Sequence, residues 1–198
     1  SDRMFDQNGQ LLYPAEDPET PGLPSPTHLP EFFGDVILVN GQAWPVKAVE
    51  QRKYRFRILN ASDSRFYAIK FQRQSNPAPG PSSPTGPTLP ILVVGTELGL
   101  LNRPAEARWQ TPPLPDGSGG ISQNDTLLIG PGERYDVVVD FSNVPTGTRL
   151  LLWNGAARPF TGQPPDGVDY VGPTPGLTDR LMAFDVVPRN RSIPDATV

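Results

Sequence analysis

Residues 31–60, EFFGDVILVNGQAWPVKAVEQRKYRFRILN, decide the fold of this chain. In the last third of the stretch, apolar and basic residues alternate: one face takes Tyr54, Phe56 and Ile58, and the other takes Lys53, Arg55 and Arg57. A strand that is covered on one side and wet on the other requires this period of two. Before it, two short apolar runs at 35–39 and 46–49 flank Asn40-Gly41, a dipeptide that tolerates the positive φ of a tight hairpin turn. The stretch therefore predicts three consecutive antiparallel strands.

Further strands are predicted wherever apolar runs recur between turn signals. They are a hairpin around Asn8-Gly9 within 3–13, strands at 65–71, 125–129, 133–141, 148–153 and 181–187, and a continuous apolar run at 91–94 that is predicted to be buried on both faces. The passage 95–104 is predicted to be turn-rich, and Gly130-Pro131-Gly132 to be a hairpin turn. Nine to eleven short strands without an amphipathic helix predict an all-β sandwich or barrel with Greek-key connections. The predicted core consists of Ile37, Val39, Tyr54, Phe56, Ile58, Val137, Val139, Phe141, Leu151 and Phe184.

Proline and glycine, 26 and 19 of the 198 residues, cluster between the apolar runs and show no period, so they indicate loops. Long Pro/Gly-rich segments are predicted at 14–30, 72–89 and 111–120, and 154–178 is predicted to be a long loop with little periodicity. The chain is predicted to consist of an N-terminal hairpin and proline-rich linker at 1–30, one domain at 31–187, and a C-terminal tail at 188–198 that leads to a next domain. Because Ser1 has no initiator Met before it, we expect a piece of a longer chain.

Charge and cysteine usage exclude several classes of function. The formal net charge is −4 and no long basic run occurs, which argues against nucleic acid or an anionic membrane surface as a partner. No stretch approaches the length of a membrane span. The chain has no Cys, so it offers no disulfide framework and no thiolate ligand or nucleophile. Its one His lies in a proline-rich linker and no Gly-x-Ser-x-Gly elbow occurs, so no Ser-His-Asp set is predicted.

Three separated motifs carry a resemblance to a known family. They are FFGDVILVNGQAWP, then RKYRFRILNASDSRFY, and later GPGERYDVVVDF. Together, from DRMFDQNGQLLY to LMAFDVV, they resemble the middle (second) cupredoxin-type domain of multicopper oxidases, in the branch of laccases, spore-coat oxidases and bilirubin oxidases. The resemblance implies a cupredoxin-like Greek-key sandwich. One departure is Glu97-Leu98-Gly99-Leu100-Leu101, where the family often has Asp-Gly-Gly-Leu-Leu.

The resemblance also implies which domains of the oxidase bind copper. A blue-copper centre needs a Cys thiolate with two His, and the trinuclear cluster of these oxidases needs four His-x-His pairs. In the family, the first and third domains supply these ligands and the middle domain supplies none. We therefore expect no metal, cofactor or catalytic residue in this fragment, no oxidase activity from it alone, and copper in the flanking domains. The resemblance further suggests export to the periplasm, the extracellular space or a spore surface.

The individual candidate residues favour ordinary structural roles. His28 lies in the proline-rich linker without a second imidazole nearby in sequence and is predicted to be a surface residue. The basic residues Lys53, Arg55 and Arg57 are expected to pair with Asp136 or Asp140 across the sheet. Asp63, Glu97, Asp136 and Asp140 supply carboxylates for a glycosidase-type pair only if two lie at a set separation, which the sequence does not give. Asn60-Ala61-Ser62 and Asn124-Asp125-Thr126 match the glycosylation acceptor pattern.

Two functions of different class follow. The first is a structural and interaction domain of a multicopper oxidase, whose parent couples oxidation of phenol-like or related reducing substrates to the reduction of dioxygen to water. It would hold the two copper-bearing domains, help to wall the substrate cleft, and expose apolar surface that favours self-association of the fragment. The second is a free-standing β-sandwich module for carbohydrate or protein, with Trp44, Trp109 and Trp153 as a stacking platform. An enzyme acting through carboxylates is a third alternative.

Overall fold

The structure is a computed structural model that describes residues 1–12, 31–74, 86–113, 115, 120–160, 174 and 177–193. Strands and the turns between them make up this described part, which contains no helix. The strands are β1 (Asp2–Phe5), β2 (Leu11–Leu12), β3 (Val36–Val39), β4 (Gln42–Ala43), β5 (Val46–Glu50), β6 (Lys53–Leu59), β7 (Tyr67–Arg73), β8 (Thr88–Leu89), β9 (Ile91–Thr96), β10 (Gly99–Glu106), β11 (Arg108–Thr111), β12 (Ile121–Asn124), β13 (Leu127–Ile129), β14 (Arg134–Asp140), β15 (Arg149–Asn154) and β16 (Arg180–Val187). Nothing helical in these ranges is long and apolar enough to cross a bilayer.

Two sheets face each other and enclose the main core. One has the strand order β10-β9-β14-β6, and the other has the order β13-β7-β15-β16-β5 with β8 paired to β7. A smaller sheet, β2-β1-β3-β4, and the ribbon β11-β12 complete the arrangement. Buried apolar side chains from both large sheets form one cluster, to which β3 adds Ile37. The predicted all-β sandwich is therefore confirmed.

The alternation in β6 fixes how the first sheet meets the core. Tyr54, Phe56 and Ile58 pack against the core cluster, whereas the basic residues between them are exposed. Opposite β6, the antiparallel β14 places Val137 beside Phe56 and Val139 beside Tyr54. The four phenylalanine rings at 56, 71, 141 and 184 contact one another with centroids 5.3 to 6.5 Å apart, mostly at tilted or edge-on angles. Each fully buried side chain of this kind stabilises the fold by about 1.5–3 kcal/mol.

The prediction that the opening stretch forms three consecutive antiparallel strands is wrong. The Asn40-Gly41 turn is present, with φ of 50° and 82°, but it joins β3 to the two-residue β4. After Trp44 and Pro45 the chain enters the other large sheet, where β5 pairs in parallel with β16, and β6 pairs with β14. The hairpin dipeptide specifies only its own turn, so it could not reveal that the next two runs take distant partners.

Three further predictions about strands are corrected. The 91–94 run is not buried on both faces, because burial alternates along β9 and Leu92 is 36% exposed. The passage after it is not only turns, since Gly99 starts the eight-residue strand β10. The turn 130–132 is confirmed, but it is not a hairpin turn, because β13 pairs with β7 while β14 pairs with β6 and β9. The described residues form sixteen strands, three of them two residues long, where nine to eleven were predicted.

The predicted core is largely confirmed, with two differences. Leu151 is buried but lies outside the main cluster, because Leu150 and Leu152 on either side of it point inward. Val39 is half-buried and lines a cavity instead of the packed core.

Candidate functional site

A cavity of about 650 Å³ lies between the two large sheets. Its wall is mostly apolar and comes from strands of both sheets and from β3, with Phe56, Ile69, Leu152, Met182 and Phe184 among the lining residues. Since β5 and β6 are outer strands of their sheets, the cavity lies on the side of the sandwich that strand pairing does not close. This position explains why Phe56 and Ile58 face the core and yet remain half-buried.

Lys47 is a cation on the inner face of the sandwich. It lies opposite Phe184 in the parallel β5–β16 register and two residues before Val49, and both of these residues belong to the buried core. Side chains at i and i+2 of a strand share a face, so the side chain of Lys47 leaves β5 on the same side as that of Val49. Lys47 lines the cavity and is exposed, which places it at the open end. Among the described residues it has no ion pair and no hydrogen bond.

A buried ion pair fastens the N-terminal strand to the sandwich. Asp2 and Arg65 are 0% and 1% exposed, and Arg65 Nε donates to Asp2 Oδ2 at 2.8 Å. The same carboxylate oxygen accepts the Gly34 amide at 2.7 Å, and Arg65 Nη2 donates to the Gly34 carbonyl at 2.6 Å. The guanidinium carbon also lies 5.5 Å from the centre of the Phe33 ring. No sequence signal pointed to this site, because its two charged residues are 63 positions apart.

Each of the four candidate carboxylates has its own hydrogen-bond or ion-pair partner. Asp136 accepts from Arg55, Glu97 pairs with Arg134 at 3.4 Å, Asp140 Oδ1 accepts the Ser142 amide at 2.8 Å, and Asp63 accepts from the Ser64 hydroxyl at 3.5 Å. The hydrogen bond from Arg55 lowers the pKa of Asp136, so this carboxyl stays ionised and is unsuited to donating a proton. No three residues of the His, Cys, Asp and Glu types cluster as a metal site within the described ranges. The structure therefore does not favour carboxylate catalysis.

The basic residues of β6 behave as expected of an exposed strand face. Arg55 Nε donates to Asp136 Oδ1 at 2.7 Å and Arg55 Nη2 binds the other carboxylate oxygen, which makes the contact bidentate. Lys53 lies opposite Asp140 in the same register, and Arg57 lies opposite Asp136. The predicted pairing across the sheet is confirmed for Arg55.

The tryptophans do not form an exposed platform. Trp109 is buried in a second small cluster with Ala68 and Ala156, and Trp44 and Trp153 are half-buried. The indole of Trp44 donates to the Leu177 carbonyl at 2.9 Å, and the amine of Lys70 lies 5.7 Å from the centre of a Trp153 ring. The structure therefore removes the observation on which the stacking-platform hypothesis depended.

Two other candidates from the sequence are settled differently. Asn60 is 3% exposed, and its amide nitrogen donates to the carbonyls of Arg65 and Ile129, so the folded chain does not present it as a glycosylation acceptor. His28 lies outside the described residues, and its expected place on the surface stays a prediction.

The hairpin of β9 and β10 exposes several leucines. Leu98 is 100% exposed at the turn and Leu100 is 72% exposed, and Leu92 and Leu101 are exposed beside them. Every residue of β10 is exposed, and β10 is the outer strand of its sheet. We call Leu92, Leu98, Leu100 and Leu101 the leucine hairpin; exposed apolar groups of this kind mark interaction surfaces.

The fold and these sites together define a β-sandwich domain whose described residues hold no metal-ligand cluster. Comparison with known proteins identifies its relatives. The chain is 35% identical over 192 residues to multicopper oxidase LPR1 homolog 3 of rice (Oryza sativa subsp. japonica), which is 94% of this chain and 28% of that protein. It is 36% identical over 158 residues to a laccase of Bacillus stratosphericus, which is 78% of this chain and 25% of the laccase.

A solved structure agrees with these relatives. The crystal structure of the McoA multicopper oxidase from the hyperthermophile Aquifex aeolicus superposes with a TM-score of 0.63 at 27% identity, over 98% of this chain and 31% of that chain. No protein-family model matches the chain. The chain spans about a quarter of the length of the curated relatives. Its homologues are multicopper oxidases, of which it matches a fragment, and its fold is the cupredoxin-like β-sandwich found in a solved multicopper oxidase.

Proposed function

We propose that this chain is the copper-free middle domain of a multicopper oxidase, which holds the copper-bearing first and third domains in place and helps to wall the cleft for the reducing substrate. The parent activity would be oxidation of phenol-like or related substrates coupled to reduction of dioxygen to water. The proposal rests on the difference between this chain and a complete oxidase. The chain matches about a quarter of the length of each related oxidase, and it contains one His and no Cys.

The donor set of this chain does not fit the copper sites that the family implies. A blue-copper centre requires a thiolate, which this composition lacks, and a trinuclear cluster requires many imidazoles. No step of copper chemistry can therefore be assigned to its residues. In a longer oxidase the ligands would have to come from flanking domains, and this domain would contribute position.

The leucine hairpin supports a role in holding neighbours. Leu98 is exposed in the turn before the outer strand β10, and Leu100 is exposed on that strand. Burying such side chains against another domain is favourable by about 25 cal/mol per Å² of apolar surface. The buried Asp2–Arg65 pair holds the N-terminal strand against the sandwich. A preceding domain would therefore be connected to the sandwich through a fixed strand.

The first test is the coding sequence on either side of this chain. His-x-His pairs upstream and a His-Cys-His run downstream would support the proposal, and their absence would contradict it. Metal analysis of the purified 198-residue chain after incubation with copper is the second test. We expect no stoichiometric copper and no dioxygen-dependent oxidation of a phenol. A defined, fully ligated copper ion in the purified chain would refute the proposal.

The third test uses the longer oxidase. Replacing Leu98 and Leu100 by Ser is expected to lower its thermal stability and activity, because the hairpin would lose its contact with a neighbouring domain. Leu177→Ser, at an exposed leucine outside the hairpin, is the matched control. Equal effects of the hairpin and control variants would count against a docking role.

A further inference from the structure

We propose that the cavity between the sheets binds one small apolar molecule that carries a carboxylate, with its apolar part between the sheets and its carboxylate at Lys47. This inference is independent of the role in an oxidase. It rests on the size of the cavity, on its lining and on the inward position of one cation.

The cavity has the dimensions and chemistry of a ligand site. Its volume of about 650 Å³ falls within the range of small-molecule pockets, roughly 300–1,000 Å³. The wall includes the rings of Phe56, Phe71 and Phe184 together with aliphatic side chains from both sheets. Such a surface favours an apolar ligand, because each buried methylene gains about 0.8 kcal/mol.

Lys47 supplies the charge that selects a carboxylate. Its register places it on the face of β5 that bears Val49, and no partner among the described residues neutralises it. A cation at the open end of an apolar cavity can pair with a ligand anion while the ligand's chain stays buried.

Deeper polar groups are already occupied and would not compete for the ligand. The hydroxyls of Tyr67 and Ser62 hydrogen-bond each other at 2.8 Å, and the side-chain amide of Asn60 donates to two carbonyls. The interior of the cavity therefore offers apolar packing, and its open end offers the positive charge of Lys47. This polarity favours an amphipathic acid over an apolar side chain from a neighbouring domain, for which an unpaired ammonium group would be a poor contact.

The experiment compares octanoate with octan-1-ol by isothermal titration calorimetry on the 198-residue chain. We expect octanoate to bind about tenfold more tightly than the alcohol, as one charge-assisted contact would provide. Lys47→Met should remove the difference and leave octanol binding unchanged. Lys53→Met is the matched control, since it removes the same charge from the outer face of β6 and should change neither affinity.

Filling the cavity tests the location. Ile58→Trp is expected to weaken binding of both ligands, and Met182→Phe serves as a second variant if the first does not fold. Both positions are half-buried at the cavity, and urea unfolding would verify their folds. Equal affinity for the two ligands, or equal effects of the Lys47 and Lys53 substitutions, would overturn the assignment of the carboxylate. Unchanged affinity for both ligands in the folded variants, or no binding of octanoate to the unmodified chain, would overturn the cavity site.

Discussion

Asp2→Asn should destabilise this domain more than an ordinary surface substitution. The change keeps the size of the side chain and an oxygen for the Gly34 amide, but it leaves the guanidinium of Arg65 without a counter-charge at 1% exposure. Removing one partner of a buried ion pair costs about 3–5 kcal/mol, because the remaining charge stays desolvated. A domain of this kind has a total stability of about 5–15 kcal/mol, so the loss would be a large part of it.

Urea unfolding, followed by tryptophan fluorescence, measures the effect. With a slope of about 2 kcal/mol per M, the midpoint should fall by roughly 1.5–2.5 M while the slope stays constant. The matched control is Asp63→Asn, at an exposed carboxylate that accepts a long hydrogen bond from the Ser64 hydroxyl, and its midpoint should change little.

A double-mutant cycle separates the pair from the rest of the site. Arg65→Met removes the second charge, so the double variant with Asp2→Asn should be clearly more stable than the sum of the two single losses predicts. Strict additivity, or a loss below about 1 kcal/mol for Asp2→Asn alone, would refute the view that these two charges depend on each other.

The remaining predictions concern pH and association. Burial raises the pKa of Tyr67 above the value near 10 of an unfolded tyrosine. The contribution of the protonated Tyr67 to stability is therefore complete below about pH 10 and is lost as the pH rises further. Tyr67→Phe should reduce the fall in the free energy of unfolding at alkaline pH. The hydrogen bonds from Arg149 lower the pKa of Asp185. Because the pair is partly exposed, Asp185→Asn should cost at most about 1 kcal/mol of stability at neutral pH, and progressively less as the pH falls below about 4. Thermal melts at each pH measure this cost, and an equal cost at every pH would contradict the expected pH dependence. Replacing Leu98 and Leu100 by Ser should reduce self-association of the chain in sedimentation experiments, and an unchanged distribution would exclude the hairpin as the associating surface.

The sequence predicted the parts of the fold that have a local cause. The period of two in β6 requires one dry and one wet face, and the structure places Tyr54, Phe56 and Ile58 against the core as expected. Asn40-Gly41 specifies its turn because both residues adopt positive φ. The bidentate contact of Arg55 with Asp136 was likewise among the expected cross-sheet pairs.

The candidate sites were harder to predict, for a physical reason that differs from one to the next. Asp2 and Arg65 meet through tertiary contacts, since β1 pairs with β3 and Arg65 contacts both Asp2 and Gly34, and no local pattern encodes these contacts. The position of Lys47 was partly predictable. The alternation within β5 places Lys47 on the same face as Val49, but the sequence did not show that Val49 faces the core.

The sequence by itself determined the strand-rich character of the chain, the dry face of β6 and the lack of thiolate and paired imidazole donors, because periodicity and composition are properties of neighbouring residues and of residue types. Only the tertiary structure decided which strands pair, how β5 came to lie parallel to β16, and where the cavity opens. Strand pairing and cavity shape depend on residues far apart in the chain, whose contact free energies compete globally, and a hairpin dipeptide or an apolar run has no influence beyond its own turn or strand.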